Sequence, residues 1–145
     1  MNLSAHVTLA EFENSSTATT HGINNKMNES QIASAKLLCE NVFEPLRLYL
    51  NIPIKISSGF RSVQLNKMIK GSLTSQHTKG EAMDIKIDAK GFYFIKDKLE
   101  FDQLIWEFGN DEQPSWVHVS YKKSGNRKQV LKATKRNGKT IYSNY

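Results

Sequence analysis

The sequence predicts a single α+β domain in which a small, largely antiparallel sheet carries flanking helices. Three observations lead there. Apolar residues recur every three or four positions from about residue 29 to 50, the period of an amphipathic helix. Two stretches, Met83 to Asp88 and Trp116 to Tyr121, alternate apolar and polar residues as half-buried strands do. Near the end, Asn137-Gly138 lies between Val130-Leu131 and Ile141-Tyr142, a strong signal for a type I′ hairpin. Neither an internal repeat nor a linker interrupts the 145 residues. One domain over 1–145 is therefore expected, with an N-terminal segment over 1–28 and a basic C-terminal hairpin over 122–145.

Residues 1–28 are polar and rich in Ser, Thr and Asn, with one apolar patch from Val7 to Phe12, so a short element followed by loop is expected. Asn28 and Gln31 have the spacing of a capping box. The helix they open carries Ile32, Ala35, Leu38, Cys39, Val42, Phe43, Leu46 and Leu50 on its apolar stripe. Pro45 should kink or divide it, because proline lacks a backbone donor and its ring clashes with the preceding turn. Ile52 to Ile56 alternates and is β-branched, which predicts a short strand ending at Ser57-Ser58-Gly59. A helix from Val63 to Lys70 follows, with Leu65, Met68 and Ile69 inward and Gly71 as its stop. Gly71 to Gly80 has the composition of a loop. In the next strand Met83, Ile85 and Ile87 share one face, and Asp84, Lys86 and Asp88 the other. Phe101, Leu104, Ile105 and Phe108, closed by Gly109, have the spacing of a third helix. In the strand from Trp116, His118 lies on the face opposite Val117 and Val119.

Composition sets the limits on function. With 39% hydrophobic and 23% charged residues the chain has the make-up of a soluble domain. At this size it should bury roughly 68–70% of its unfolded surface. No apolar run approaches the ~20 residues that span a bilayer, so no membrane insertion is expected. The N-terminus lacks the basic start and apolar segment of a secretory signal, so the product is expected to start in the cytoplasm. Cys39 is the only cysteine; it reads as core, and any metal must be held by His and carboxylates. Lys+Arg 20 against Asp+Glu 14 gives +6, which favours an anionic partner such as nucleic acid, a membrane surface or an acidic cell-wall polymer. The basic residues between Lys122 and Lys139 accompany no nucleic-acid-binding motif, so nucleic acid is not the expected partner.

Among four histidines, His77 and His118 depart from the usual structural role. His77 precedes a strand that carries Asp84 on its polar face, and His118 shares a strand face with Trp116 and Ser120. Two neutral imidazoles and one carboxylate on neighbouring strands suit zinc, with a fourth position open for water.

Three ordered blocks extend this reading. Ser58-Gly59-Phe60-Arg61-Ser62 with Asn66 comes first, then Ser75-Gln76-His77-Thr78-Lys79-Gly80-Glu81-Ala82-Met83-Asp84, then Ser115-Trp116-Val117-His118-Val119-Ser120-Tyr121. Together they resemble the zinc D-Ala-D-Ala carboxypeptidase-like peptidases (the M15 type), and most of all the phage-associated branch that acts on peptidoglycan. The resemblance runs from about His6 to Tyr121. It implies a fold of the D-Ala-D-Ala carboxypeptidase/hedgehog kind with the metal on the sheet. It also implies that His77, Asp84 and His118 hold Zn2+, that Arg61 binds a substrate carboxylate or carbonyl, and that Ser75 contacts substrate. Gly59, Gly80 and Ala82 are expected to be structural, and Trp116 to pack beside the metal.

The best-known members carry Glu or Asp three residues before the last zinc histidine, as general base; here that position is Ser115, which cannot take a proton from water near pH 7. On chain proximity Glu112 and Asp111 are the first candidates to replace it. Glu107 and Asp102, on the expected third helix, are more distant ones. The function implied is hydrolysis of stem-peptide amide bonds in bacterial peptidoglycan, as a D-Ala carboxypeptidase or an endopeptidase. The setting implied is phage or prophage lysis by a monomer released through a holin. The alternative is a zinc-containing wall-binding module with little or no turnover.

Overall fold

A computed structural model describes all residues 1–145. The N-terminal segment is more structured than its composition suggested. Strands β1 (Asn2–Ser4) and β2 (Val7–Thr8) form an antiparallel ribbon, followed by the short helices α1 (Leu9–Glu13) and α2 (Ser16–Thr20). Helix α3 (Glu29–Leu38) opens on the expected capping box, with Asn28 and Gln31 each accepting the other's backbone N–H. The long helix is divided before Pro45. A π-helical turn (Cys39–Phe43), in which the Glu44 N–H reaches back to the Cys39 carbonyl, leads into α4 (Glu44–Leu50). Pro45 then sits in the first turn of α4, where a missing donor costs least.

The main sheet is built from β3 (Lys55–Ser58), β4 (Ala82–Lys86), β5 (Gln103–Glu107), β6 (Trp116–Ser120), β7 (Gln129–Arg136) and β8 (Lys139–Asn144). Between these strands lie α5 (Val63–Met68), a 3-10 turn (Gln76–Lys79) and α6 (Ala89–Lys98). Strand order is β3-β4-β6-β5-β7-β8, with β5 and β7 parallel. This corrects the expected small, largely antiparallel sheet: it is a mixed sheet of six strands. Two misread segments explain the difference. The stretch expected as a third helix is β5, a strand with a neighbour on each side and buried on both faces. Its central residues, Leu104, Ile105 and Trp106, form an unbroken apolar run, and over a few residues such a run mimics helical spacing. The terminal hairpin is present, with Asn137 and Gly138 both at positive φ as a type I′ turn requires. It does not stand apart, because β7 joins the sheet through β5.

Alternation divides the sheet into two chemistries. Met83 and Ile85 of β4, Val117 and Val119 of β6, and Leu104 and Trp106 of β5 enter one core with Leu38, Val42 and Leu46 of the helical region and Phe92 and Ile95 of α6. Helix α6 was not expected from the sequence; Asp88 caps its first turn by accepting the Gly91 N–H. Cys39 lies in the same core, where burial pushes its thiol up to about 12. In α5 only Leu65 of the three expected inward residues is buried; Met68 and Ile69 are on the surface. The opposite face of the sheet carries Asp84, His118 and Glu107. No helix is long and apolar enough to cross a membrane.

Candidate metal centre

Register places the first two donors. Asp84 of β4 lies directly opposite His118 of β6, and His118 Nδ1 is 3.0 Å from Asp84 Oδ1. His77 arrives from the 3-10 turn before β4, with Nε2 3.4 Å from the same oxygen. The donor atoms of the three residues all lie within 4.8 Å of one another.

Local structure explains how a loop histidine is held so closely. Ser75 caps the turn, its hydroxyl accepting the His77 N–H at 3.3 Å. Gly80 ends the turn at φ +74, and a Cβ there would stand 2.5 Å from the Gln31 carbonyl oxygen of α3. Gly80→Ala should therefore cost at least ~1–2 kcal/mol from the left-handed backbone alone, and more from the clash. Urea denaturation of the two proteins measures this loss. Gly59 allows a second close approach: a Cβ there would meet the Phe12 carbonyl oxygen at 2.3 Å.

The Gly59 carbonyl also sets the protonation of His77. It can only accept, so His77 Nδ1, 2.7 Å away, carries the hydrogen and donates it. Burial pushes the His77 pKa down despite the charge of Asp84, which keeps the ring neutral. Its Nε2 therefore presents a lone pair to a carboxylate oxygen at 3.4 Å. Asp84 is itself held well below the usual carboxylate range: burial would raise it, but His77 and His118 outweigh that. Two acceptors facing each other in a buried site repel unless a cation lies between them. The donor set thus fits zinc, whose tetrahedral bonds of about 2.0–2.2 Å space neighbouring ligand atoms by roughly 3.3–3.5 Å. The hydrogen bond from Nδ1 to a backbone carbonyl is the support that metal-bound histidines commonly have.

Arg61 stands on the other side of Asp84. Its guanidinium Nη2 is 3.4 Å from Asp84 Oδ2, and its Nε donates to Ser58 Oγ at 3.2 Å. The Arg61 backbone N–H also donates to the His77 carbonyl, tying the cation to the turn. Arg61, Ser75, His77, Asp84 and His118 all line one cleft of about 760 Å³.

Of the acidic candidates, the structure brings neither Asp111 nor Glu112 to this cleft. Both are exposed, and Asp111 pairs with Lys132 at 2.5 Å. Proximity in the chain does not carry them there, because the 110–115 loop lies beyond the end of β5. Ser115 precedes β6, and alternation puts position 115 on the face away from His118. Glu107 is in the cleft instead, buried, on β5 opposite Trp116 and one step from the His118 row. Burial and the negative charge of Asp84 push Glu107 up to about 6, although His118, Trp116 and Arg61 pull the other way. Trp116 packs against Phe108, with Lys86 over its ring. Sequence reasoning missed Tyr142 of β8, which reaches the cleft from the hairpin; in the sheet Glu107, Ala133 and Tyr142 lie side by side on three neighbouring strands.

Helices on one face of a mixed sheet and two histidines with an aspartate on the other define an α+β protein built around a site able to hold a metal ion. The Peptidase M15 family matches residues 5–120, and the chain belongs to that family. The hairpin that supplies Tyr142 lies outside the matched residues. No curated protein matches the chain.

Proposed function

We propose that this peptidase is zinc-dependent and hydrolyses amide bonds in the stem peptides of bacterial peptidoglycan. The observation that carries the reading is the convergence of the His77 and His118 ring nitrogens on Asp84, in a chain of the Peptidase M15 family. His77, Asp84 and His118 would hold zinc, which in such a set acts as a Lewis acid that activates water and polarises a carbonyl.

The protein's own groups would do the rest. Glu107 is the general base: a buried carboxylate in the same cleft that takes a proton from the attacking water and returns it to the leaving amine. Arg61, held by Ser58 and Asp84, presents a fixed cation where negative charge develops on the substrate oxygen. Ser75 holds the His77 turn and lines the floor along which the peptide lies. Tyr142 and Leu131 wall the cleft on the hairpin side. The +6 charge of the chain favours a wall rich in carboxylates and anionic polymers; the setting proposed for it is phage or prophage lysis, with the wall reached through a holin.

Digesting purified peptidoglycan and weighing the products tests the reading. Loss of a terminal D-Ala would show a carboxypeptidase, and shortened cross-linked peptides an endopeptidase. Unchanged masses with zinc-loaded protein would contradict both. The pH profile adds a check on Glu107. Its base form is the deprotonated one, so turnover should fall as pH drops through about 6, or lower once a bound cation stabilises the carboxylate. A rate that rises through that interval on acidification would contradict the assignment.

A further inference from the structure

The cleft does not end at the metal centre. It continues to a second polar cluster around Asp102, a carboxylate with no exposed surface. Both of its oxygens are engaged. Oδ1 accepts from the backbone N–H and Nε of Arg127, each at 3.0 Å, and Oδ2 accepts from Arg127 Nη2 at 2.8 Å and Gln76 Nε2 at 3.0 Å. Lys122 Nζ stands 3.8 Å from Oδ1. Burial would raise the Asp102 pKa, but Arg127 and Lys122 hold it below the ordinary value, so the carboxylate stays charged.

This arrangement fixes a guanidinium at the mouth of the cleft without exhausting it. The two parallel bonds to Asp102 use one edge of Arg127, and its side chain is 52% exposed, leaving donors free on the other edge. One carboxylate balances one cation, and Lys122 is a second. Lys70 and Lys79 line the same cleft, and neither forms an ion pair. Over the whole cleft five cations, Arg61, Lys70, Lys79, Lys122 and Arg127, face four carboxylates, Glu81, Asp84, Asp102 and Glu107. A held, half-open guanidinium with a lysine beside it is a receptor whose ordering cost is met before an anion arrives.

The distance to the metal centre is set by the sheet. Asp102 N–H donates to the Ser120 carbonyl at 2.8 Å, and Ser120 is two residues beyond His118 on β6. Two residues of strand span about 7 Å, and an extended peptide covers ~3.3–3.6 Å per residue. A substrate lying along the cleft would reach Arg127 about two or three residues from the bond at the metal centre.

We propose that Arg127 and Lys122, braced by Asp102 and Gln76, form an anion subsite that binds a free carboxylate of the substrate peptide two or three residues from the scissile bond. The proposal rests on the peptidase reading and adds what the enzyme selects. Stem peptides with that carboxylate free are preferred, and those with it amidated are discriminated against.

Calorimetric binding to the zinc-loaded Glu107→Gln protein tests it, since binding is read without turnover. The probes are the synthetic peptide L-Ala-γ-D-Glu-L-Lys-D-Ala-D-Ala and its counterpart amidated at the D-Glu α-carboxylate. The acid should bind about tenfold or more tightly than the amide. Adding Lys122→Gln should remove most of that preference. Removing Arg127 alone strands a buried charge, so the paired change Asp102→Asn with Arg127→Gln serves as the second variant, its melting temperature recorded alongside; it should abolish the preference. Equal binding of acid and amide overturns the subsite and leaves the peptidase reading standing. Binding of neither peptide overturns both.

Discussion

Glu107→Gln should lower kcat on peptidoglycan by about 10²–10⁴-fold, the usual contribution of a positioned general base, while zinc content stays unchanged. The amide keeps the size and hydrogen-bonding reach of the carboxylate but cannot take a proton from water. The same substitution should raise the melting temperature of metal-free protein at pH 8. The sign follows from the raised pKa. In the fold, burial and Asp84 disfavour the charged form of Glu107, shifting it from 4.5 to about 6. Its unfavourable contribution to stability therefore grows as pH rises through that interval and is fully present above it. Glutamine carries no charge and escapes it. Slower turnover with higher stability is the pattern of a residue strained for function. A kcat within a few-fold of wild type would remove Glu107 from the base role, and a lower melting temperature would contradict its electrostatic setting.

Loss of a donor should have an effect as large. His77→Ala should abolish stoichiometric zinc binding, because the turn held by Ser75 and Gly80 presents only one ring nitrogen to Asp84. Zinc binds the folded state, so at a hundredfold excess over Kd it should stabilise wild type by ~2.7 kcal/mol. For a domain of this size that is a rise in Tm of roughly 5–10 °C, and the variant should show none. Activity should fall to background with it. His77→Ala protein that still binds one zinc and retains its Tm shift would contradict the ligand assignment.

The parts of this site that the sequence displayed are those set by local pattern. Strict alternation placed Asp84 and His118 on polar strand faces, and the Gly/Ser-rich stretch before β4 marked the turn that carries His77. The buried carboxylate of the cleft, Glu107, was hidden by one misread element. Phe101, Leu104, Ile105 and Phe108 fit a helix, but the competing alternation, Leu104 and Trp106 on one face with Ile105 and Glu107 on the other, is the pattern the sheet enforces. Pairing on both edges of β5 outweighs a helical preference spread over few residues. Once that stretch is a strand, Glu107 moves from a distant helix to the row beside His118. The parallel joining of β7 to β5 was equally hidden, since nothing local records which strands separated by a long loop will pair. With it went Tyr142, and the convergence of Arg127 on Asp102.

Metal-dependent cleavage of the wall is the activity proposed for this site. It is tested most directly by titrating zinc into metal-free protein while measuring new amino groups released from purified peptidoglycan. Release should rise in proportion to bound zinc and level off at one equivalent, and His118→Ala should give none. One equivalent of zinc bound without any release of amines would contradict the account, and would leave a zinc-containing wall-binding module in its place.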